Sequence, residues 1–410
     1  MSERLKKILL VGLFVLVVAG LGYLLYRFFF RPPESILPAP SATIQPGGTL
    51  PTAGQGGARQ PTQPGTPGSL PSASGTQVVI PPAPATAQAS RTKVLSEDTI
   101  QALAKSATGG VRGYNSKEGK FYRYLDDGTA VALSDKTFYN VDQVTWGNRT
   151  DQAVLTYPDG SKILYDFTNG KQVTLPKHWE NFNFSPQDDH IVAKSIGNNS
   201  SNHFLVTSNP DGTNAALVED MGDNQDKVHT SWSPNNQIVA YSFTGDHIGF
   251  DEQSIIMVGQ HQENFKGLVV PGRGFVPNWS PNGNNILYSV HTSADGYRPS
   301  LWVSGAVGDN INANRTNLSI NTWADKCAWQ SETSLICAVP QSLGQGAGLQ
   351  RELSDHIPDD IYKIDLSTGQ KINLGAPDGK PTIHQMTISP DGKSMYFNDT
   401  DTGKLVRFAL

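Results

Sequence analysis

The sequence has few cysteines and no concentration of positive charge. Only two of its 410 residues are cysteines, Cys327 and Cys337, too few for a disulfide-rich scaffold or for a zinc site with four cysteine ligands. Residues 91–410 contain 26 basic and 35 acidic residues, and no stretch within them concentrates lysine or arginine. An acidic domain of this kind is a poor candidate for binding nucleic acid or for lying on anionic lipid. We therefore expect no nucleic-acid partner.

Motifs of the common hydrolases and nucleotide-binding enzymes are also missing. The sequence contains no Gly-x-Ser-x-Gly, no His-Glu-x-x-His and no phosphate-binding glycine-rich loop after a strand. Its nine histidines are scattered singly, without the spacing of metal ligands. Two acidic stretches, Asp220–Asp226 and Asn398–Asp401, do not match an EF-hand loop, and such side chains are also common in turns. We expect no catalytic residue, no cofactor and no metal.

One short motif recurs along the chain after residue 91. Ser389–Gly392 reads Ser-Pro-Asp-Gly, and related tetrapeptides begin at Ser280, Ser233 and Ser185. Each follows a bulky apolar residue and precedes a short apolar run. Proline sets φ at the second position of a type I turn, serine hydrogen-bonds to the backbone, and glycine adopts the left-handed conformation that closes a hairpin. The motif therefore predicts a tight turn between two antiparallel strands.

Degenerate copies of the motif extend the count to seven. They begin at Ser106, Gly147 and Gln330, and the last two lack the proline and the glycine. A second hairpin follows the motif, for example at 121–133, so each unit reads as four strands. Four-stranded units that recur every 38 to 59 residues are typical of propeller blades. The predicted fold is an all-β, seven-bladed β-propeller over 91–410. Six or eight blades also fit, and an all-β sandwich is the alternative fold.

The repeat resembles that of a known family. Trp232 and Trp279 stand directly before the motif, and the apolar runs Ile238–Tyr241 and Ile286–Tyr288 follow it. This pattern resembles the repeats of TolB-type, WD-repeat-like β-propellers, and the resemblance covers residues 92–410. It implies a propeller that acts as a dock for other proteins. It indicates fold more strongly than function, because the same repeat occurs in scaffolds, lyases and the propeller domains of peptidases.

The two ends of the repeat region predict how the ring closes. Only one strand, Lys404–Ala409, follows Met395–Phe397, which leaves the last blade one strand short. Thr92–Leu95 can supply the missing strand and so cover an exposed sheet edge. A short helix over Ser96–Ala107 is an alternative for these first residues of the domain, because the apolar residues there also have helical spacing.

The N-terminus predicts attachment to a membrane. Ile8–Tyr26 is a run of 19 residues without a charge, long enough to cross most of a hydrocarbon core about 30 Å thick. Three basic residues precede it, which favours a cytoplasmic N-terminus and an extracytoplasmic propeller. A cleaved signal peptide is the alternative, but the bulky residues at 24–28 offer no small-residue cleavage site. We expect 1–31 to be a short basic N-terminus and a single transmembrane signal anchor.

Residues 32–90 have the composition of a disordered linker. They contain 13 prolines, many small polar residues and only two charges. Such a segment has too few apolar groups to offset the entropy of ordering. A linker of this kind lets the propeller stand away from the membrane, in the periplasm or at the cell surface.

Polar residues stand near the start of several predicted innermost strands, which meet at one mouth of a propeller's channel. The candidates for contacts with a ligand or a partner are Asn181, His229, Lys326, His384 and Gln385. A ring of polar groups at this mouth can bind a peptide or a small ligand. Solvated side chains without a ligand are the alternative.

The two cysteines flank the degenerate turn at 331–333. A hairpin centred on Glu332 places Cys327 opposite Cys337, at a separation close to what a disulfide bridges. Two buried free thiols are the alternative, and an oxidising extracytoplasmic location favours the bond.

Together these features predict a membrane-anchored, non-enzymatic β-propeller that docks a protein or a cell-envelope polymer outside the membrane. The sequence does not identify this partner. A propeller enzyme, such as a metal-assisted carbohydrate lyase, and an accessory sensor of the envelope are the alternatives. An enzyme would need several histidines or carboxylates that converge on one channel mouth.

Overall fold

The computed structural model describes residues 90–410 except residue 264, together with Leu16, Val18, Gly20, Leu21 and Tyr23, which are helical. Within these residues, no helix is both long enough and apolar enough to cross a membrane. The predicted signal anchor at 8–26 and the predicted linker at 32–90 lie almost entirely outside the described residues.

Residues 90–410 are built almost entirely from β-strands and tight turns, so the all-β prediction is confirmed. The strands are β1 (Thr92–Lys105), β2 (Val111–Asn115), β3 (Lys120–Tyr124), β4 (Ala130–Ala132), β5 (Gln143–Trp146), β6 (Gln152–Thr156), β7 (Lys162–Asp166), β8 (Lys171–Leu175), β9 (Trp179–Phe184), β10 (Ile191–Ile196), β11 (His203–Ser208), β12 (Ala216–Asp220), β13 (Val228–Thr230), β14 (Ile238–Ser242), β15 (Gln253–Gly259), β16 (Leu268–Val270), β17 (Arg273–Trp279), β18 (Asn285–His291), β19 (Pro299–Gly305), β20 (Thr316–Asn317), β21 (Cys327–Ser331), β22 (Ser334–Pro340), β23 (Asp359–Asp365), β24 (Lys371–Gly375), β25 (Ile383–Ile388), β26 (Ser394–Asp399) and β27 (Lys404–Ala409). Short 3-10 turns lie at Ser200–Asn202, Gly222–Lys227, Gly308–Asn310, Ala324–Lys326 and Arg351–Ser354.

The strands form antiparallel sheets in chain order. Five sheets have four strands each: β5–β8, β9–β12, β13–β16, β17–β20 and β21–β24. A further sheet has seven strands, in the order β25-β26-β27-β1-β2-β3-β4. The first strands of neighbouring sheets lie side by side, with β5 between β1 and β9, and β1 next to β25. Successive four-stranded antiparallel sheets with their first strands innermost are the architecture of a β-propeller.

Strand β1 joins the two ends of the chain within the seven-stranded sheet. Its first half pairs with β27, from Thr92 opposite Phe408 to Thr99 opposite Lys404. Its second half, from Ile100 onward, pairs with β2. The predicted strand exchange at the ring closure is therefore confirmed, and the alternative helix over 96–107 is wrong. Pairing on both halves satisfies the backbone groups of this segment, whereas a helix of about 12 residues is only marginally stable in water.

The four serine-proline turns share one geometry. The backbone N–H of the fourth residue donates to the carbonyl of the serine at 2.9–3.0 Å in each turn. That fourth residue has a positive φ, between 63° and 72°, in each case: Asp188, Asn236, Gly283 and Gly392. Glycine, asparagine and aspartate tolerate this left-handed conformation better than other residues. The serine hydroxyl then accepts a backbone N–H from beyond the turn, as Ser389 does from Ser394 at 3.0 Å.

The core lies between neighbouring sheets rather than within any one of them. Ile255 and Met257 of β15, for example, pack with Phe275 and Tyr288 of the next sheet. The side chains of β22 and β23 pack in the same way against those of β25–β27. Each sheet therefore buries apolar area only when its neighbours are folded, so the sheets stabilise one another.

Candidate functional site

The five predicted contact residues lie at or just before the start of innermost strands. Asn181 is in β9, His229 in β13, His384 and Gln385 in β25, and Lys326 ends the 3-10 turn before β21. They fall into two groups in different parts of the ring. In one, the Thr230 hydroxyl next to His229 donates to the Asn181 carbonyl at 2.5 Å. In the other, Lys326 lies close enough to His384 for its charge to influence that histidine.

Asn181 and Gln385 occupy bulges in their strands. Their φ angles are 52° and 48°, and the pairing register shifts at both positions. Ala102 of β1 has the same conformation, and its carbonyl accepts the indole N–H of Trp146 at 2.7 Å. The Asn181 carbonyl likewise accepts a hydrogen bond from the Thr230 hydroxyl. The bulges at Ala102 and Asn181 therefore connect neighbouring innermost strands. The side chains of Asn181 and Gln385 remain exposed.

Lys326 is the one predicted contact that the structure buries. Its side chain is 5% exposed, and its ammonium donates to both carboxylate oxygens of Asp359 at 2.8 Å. The same carboxylate accepts the Ile383 backbone N–H at 2.7 Å. Burial lowers the pKa of Lys326 and raises the pKa of Asp359, and the charge of each partner opposes these shifts. The pair joins the turn before β21 to β23 and β25. The positive charge of Lys326 and the negative charge of Asp359 neutralise each other.

Three long loops lie at the same end of their sheets as the starts of the innermost strands. They connect the second strand to the third: 243–252 follows β14, 292–298 follows β18 and 341–358 follows β22. In an antiparallel four-stranded sheet, this connection and the start of the first strand are at one end. We call these three loops together the three-loop surface.

Hydrogen bonds join the three loops edge to edge. The Asp251 carboxylate accepts the Ser293 hydroxyl at 2.8 Å, which links the first loop to the second. The Gly348 backbone N–H donates to the Tyr297 carbonyl at 2.7 Å, which links the second loop to the third. A Cβ at Gly348 would lie 2.7 Å from both the Tyr297 carbonyl oxygen and the His291 Cβ, so only glycine allows this approach. The loops therefore hold one another in place.

Four large apolar side chains of the three-loop surface are exposed. They are Ile248 (53%), Phe250 (76%), Leu349 (60%) and Leu353 (69%). Arg273 of β17 supports Phe250, since its guanidinium lies 5.4 Å from the ring centroid and donates to the Phe250 carbonyl at 2.8 Å. Large apolar side chains grouped on an ordered surface are typical of protein interaction sites.

The loop 341–358 also contacts the segments before β21 and β25. Arg351 donates to the Asp325 carboxylate at 2.6 Å and lies 4.9 Å from the centroid of the Trp323 ring. The Thr382 hydroxyl donates to the Ile357 carbonyl at 3.1 Å. The loop is thus fastened to the segments that precede β21 and β25, where Lys326 and His384 lie.

Desolvation lowers the pKa of three histidines at this end of the sheets, although two of them keep much of their surface exposed. They are His229, His291 and His384. A nearby cation adds to the effect in each case: Lys194 for His229, Arg273 for His291 and Arg351 for His384. His291 is the most enclosed of them, because it lies beneath the contact between Tyr297 and Gly348.

The acidic turns use their side chains locally. Asp220 accepts the Gly222 backbone N–H at 3.0 Å, and Asp399 accepts the Thr402 hydroxyl. The Asn398 amide donates to the Ile100 carbonyl at 2.6 Å. Within the residues that the structure describes, no group of three or more histidine, cysteine, aspartate or glutamate side chains is placed to hold a metal ion.

Cys327 and Cys337 face each other on β21 and β22, and their sulfur atoms lie within bonding distance of each other. The hairpin turns at Glu332 and Thr333, and a register shift between Trp329 and Ser331 brings the two cysteines opposite each other. The predicted register of this hairpin is therefore confirmed.

The three-loop surface was not predicted from the sequence. Its exposed residues lie in glycine-containing stretches that have neither the turn motif nor an apolar periodicity, such as Gly344–Leu349. The available signal is only that bulky apolar residues occur where no strand is predicted. That signal does not distinguish an exposed loop from a buried one.

Solved structures share this fold. An oligogalacturonate lyase in complex with manganese aligns with a TM-score of 0.55 at 10% identity, over 78% of this chain and 93% of the lyase. The Swd1 β-propeller domain of Myceliophteria thermophila aligns with a TM-score of 0.52 at 10% identity, over 78% and 98%. The tricorn protease aligns with a TM-score of 0.50 at 11% identity, over 78% of this chain but only 34% of the protease. No protein-family model and no curated protein matches the sequence.

These similarities show the fold alone, because the identities are so low. The described part of the chain is a WD-like β-propeller. The similar structures include both a lyase and a β-propeller domain, so the fold does not select a function.

Proposed function

We propose that this protein is a membrane-anchored, non-enzymatic β-propeller of the TolB type, which docks a protein or a cell-envelope polymer outside the membrane. The observation that carries this proposal is the three-loop surface. Its loops are hydrogen-bonded to one another, so they are ordered before a partner arrives, and they expose four large apolar side chains. A surface ordered in advance loses little conformational entropy on binding.

The organisation of the whole chain supports the same role. The uncharged run at 8–26 serves as the signal anchor, and the proline-rich linker at 32–90 carries the propeller away from the membrane. The ring has seven blades in this proposal. The two halves of β1 complete one four-stranded blade with β25–β27 and another with β2–β4, beside the five separate four-stranded sheets.

The charges at the channel mouth also favour binding over catalysis. Lys326 is paired with Asp359, and Arg351 is paired with Asp325. Groups that neutralise one another in the resting protein hold the fold and the loop in place. A lyase of the alternative kind would instead need several histidines or carboxylates directed at one substrate position.

Site-specific photo-crosslinking in intact cells tests the docking role. The crosslinker replaces Phe250 or Leu353 in the full-length protein, and Leu217, exposed on β12, is the control position. We expect a discrete crosslinked product, or retention on envelope polymer, from the two loop positions and none from residue 217. Equal products from all three positions, or none from any, would contradict the proposal.

Cell fractionation tests the placement of the propeller. We expect the protein to stay with membranes after an alkaline carbonate wash. Protease added outside the cytoplasmic membrane should remove the propeller. A mature N-terminus beyond Gly22 would instead indicate a cleaved signal peptide.

A further inference from the structure

The three-loop surface is acidic as well as apolar. Its three loops together contain six acidic residues and only two arginines, Arg298 and Arg351. The acidic residues are Asp246, Asp251, Glu252, Asp295, Glu352 and Asp355.

Both arginines are committed to contacts inside the propeller. Arg298 donates from its Nε to the Leu343 carbonyl at 2.9 Å. Arg351 is paired with Asp325, which lies outside the three loops. The cations that pair with loop carboxylates come from outside the loops: Arg273 lies 3.9 Å from Asp251, and Arg315 lies 3.9 Å from Glu252.

Four of the loop carboxylates, Asp246, Asp295, Glu352 and Asp355, have no ion pair among residues 90–410 as described, whereas Asp251 and Glu252 each have one. Three of these four lie next to the exposed apolar residues: Asp246, Glu352 and Asp355. Asp246 and Glu352 are exposed, and Asp355 is half-buried. Each lies close in sequence to an exposed apolar residue: Asp246 precedes Ile248, and Glu352 and Asp355 flank Leu353. Apolar side chains and unpaired negative charges are therefore close neighbours along two of the three loops.

From this arrangement we infer, resting on the docking function proposed above, that the occupant of the three-loop surface is a basic peptide segment of a partner protein. Its apolar side chains contact Phe250 and Leu353, and lysine or arginine residues between them pair with Asp246, Glu352 and Asp355. Each such pair is partly desolvated by the apolar contacts beside it, which strengthens it relative to a fully exposed pair. The same negative charge disfavours nucleic acid and anionic lipid as occupants.

Three synthetic peptides of equal length test this chemistry on the full-length protein. They carry the same leucine and tryptophan residues, and their spacer residues are lysine, glutamine or glutamate. We expect the lysine peptide to bind at least about tenfold more tightly than the glutamine peptide at low salt, and the glutamate peptide not to bind. Raising the salt to about 0.5 M should remove most of this difference, because salt screens exposed charges.

Matched variants assign the binding to the surface. The triple variant D246N, E352Q, D355N should lose the preference for the lysine peptide. The control variant D135N, E219Q, D309N removes three exposed carboxylates elsewhere and should keep the preference. The variant F250S, L353S should weaken binding of the lysine and glutamine peptides alike. A preference that survives the loop triple variant, or equal binding of lysine and glutamine peptides, would overturn the inference.

The two proposals fail in different ways. If residues 250 and 353 crosslink to a cellular partner while the lysine peptide shows no preference, the docking function stands and the basic occupant is wrong. If they retain an envelope polymer instead of a protein, the basic peptide is likewise wrong. If neither position crosslinks and no peptide binds, the docking function itself fails.

Discussion

The Asp188 carboxylate accepts two hydrogen bonds from Thr150, one from its backbone N–H and one from its hydroxyl, both at 2.8 Å. It also accepts the backbone N–H groups of Asn148 at 2.5 Å and Arg149 at 2.7 Å. Asp188 closes the serine-proline turn of one sheet, whereas 147–150 is the turn of the preceding sheet, which has neither the proline nor the closing glycine of the motif. A side chain from one sheet thus orders the turn of its neighbour.

Replacing Asp188 with alanine should destabilise the propeller. Asp188 is buried, and its loss leaves three backbone N–H groups and a hydroxyl without their acceptor. We expect the free energy of unfolding to fall by about 3 kcal/mol, measured by urea denaturation. Asp159→Ala is the control, because that exposed carboxylate accepts hydrogen bonds from Ser161 in its own turn and otherwise has only a solvent-exposed contact with Lys177 at 4.0 Å. Equal losses in the two variants would contradict this account.

Replacing Lys326 with methionine should lower the free energy of unfolding by more than the small change in side-chain volume suggests. The variant leaves the Asp359 carboxylate buried beside an apolar side chain, which costs about 3–5 kcal/mol of unfolding free energy. The double variant with Asp359→Leu should lose less than the sum of the two single variants. Lys117→Met is the control: it breaks an exposed ion pair with Asp98 and should change the free energy of unfolding little, because solvent screens that pair. Additive losses at 326 and 359 would mean that the two residues act independently.

His291 should make the stability of the propeller depend on pH. Burial lowers its pKa in the folded chain, so the unfolded chain takes up a proton at a higher pH than the folded chain does. The contribution of the neutral imidazole is therefore complete above a pH of about 6.5 and is lost as the pH falls towards the folded pKa.

Urea midpoints at pH values of about 7.5 and about 5.5 measure this effect. We expect His291→Gln to reduce the difference between the two midpoints. His178→Gln, at an exposed position, controls for the loss of a histidine. An unchanged difference in the His291 variant would show that this residue is not responsible.

The disulfide between Cys327 and Cys337 should be present in the protein isolated from cells. When the protein is alkylated without prior reduction, mass spectrometry should find neither cysteine labelled. The bond closes a loop with a sequence separation of 10, for which the chain-entropy model gives about 2.5–3 kcal/mol. Reduction should therefore lower the melting temperature. Two labelled thiols in the unreduced protein would end the hypothesis and would argue against an extracytoplasmic location.

Sequence reasoning located the hairpins because their determinants are local. A proline and a positive-φ residue within four positions fix a turn, and Lys404–Ala409 was predicted with the bounds that the structure shows. The pairing of β1 with β27 was predicted because the last blade is one strand short in the sequence, and the number of strands can be read from the sequence alone. Long-range contacts could not be predicted from the sequence. Nothing near Lys326 indicates that Asp359 is its partner, since the contact depends on how β21, β23 and β25 pack.

The candidate site was the least predictable part for a related reason. The positions of His384 and Gln385 at the mouth follow from the strand order, but the exposure of Phe250 and Leu353 depends on which loops support each other. The glycine at 348 is required by a contact with Tyr297, which lies in a different sheet's loop. A single sequence does not record such a contact.

Because β1 pairs with both β2 and β27, its pairing cannot be completed early in protein synthesis. Its first half has no partner until β27 leaves the ribosome, about 300 residues later. At about 5–20 residues per second, this wait lasts on the order of 15–60 s. The nascent chain therefore holds an unpaired strand edge throughout that interval, and the ring can close only after β27 has left the ribosome.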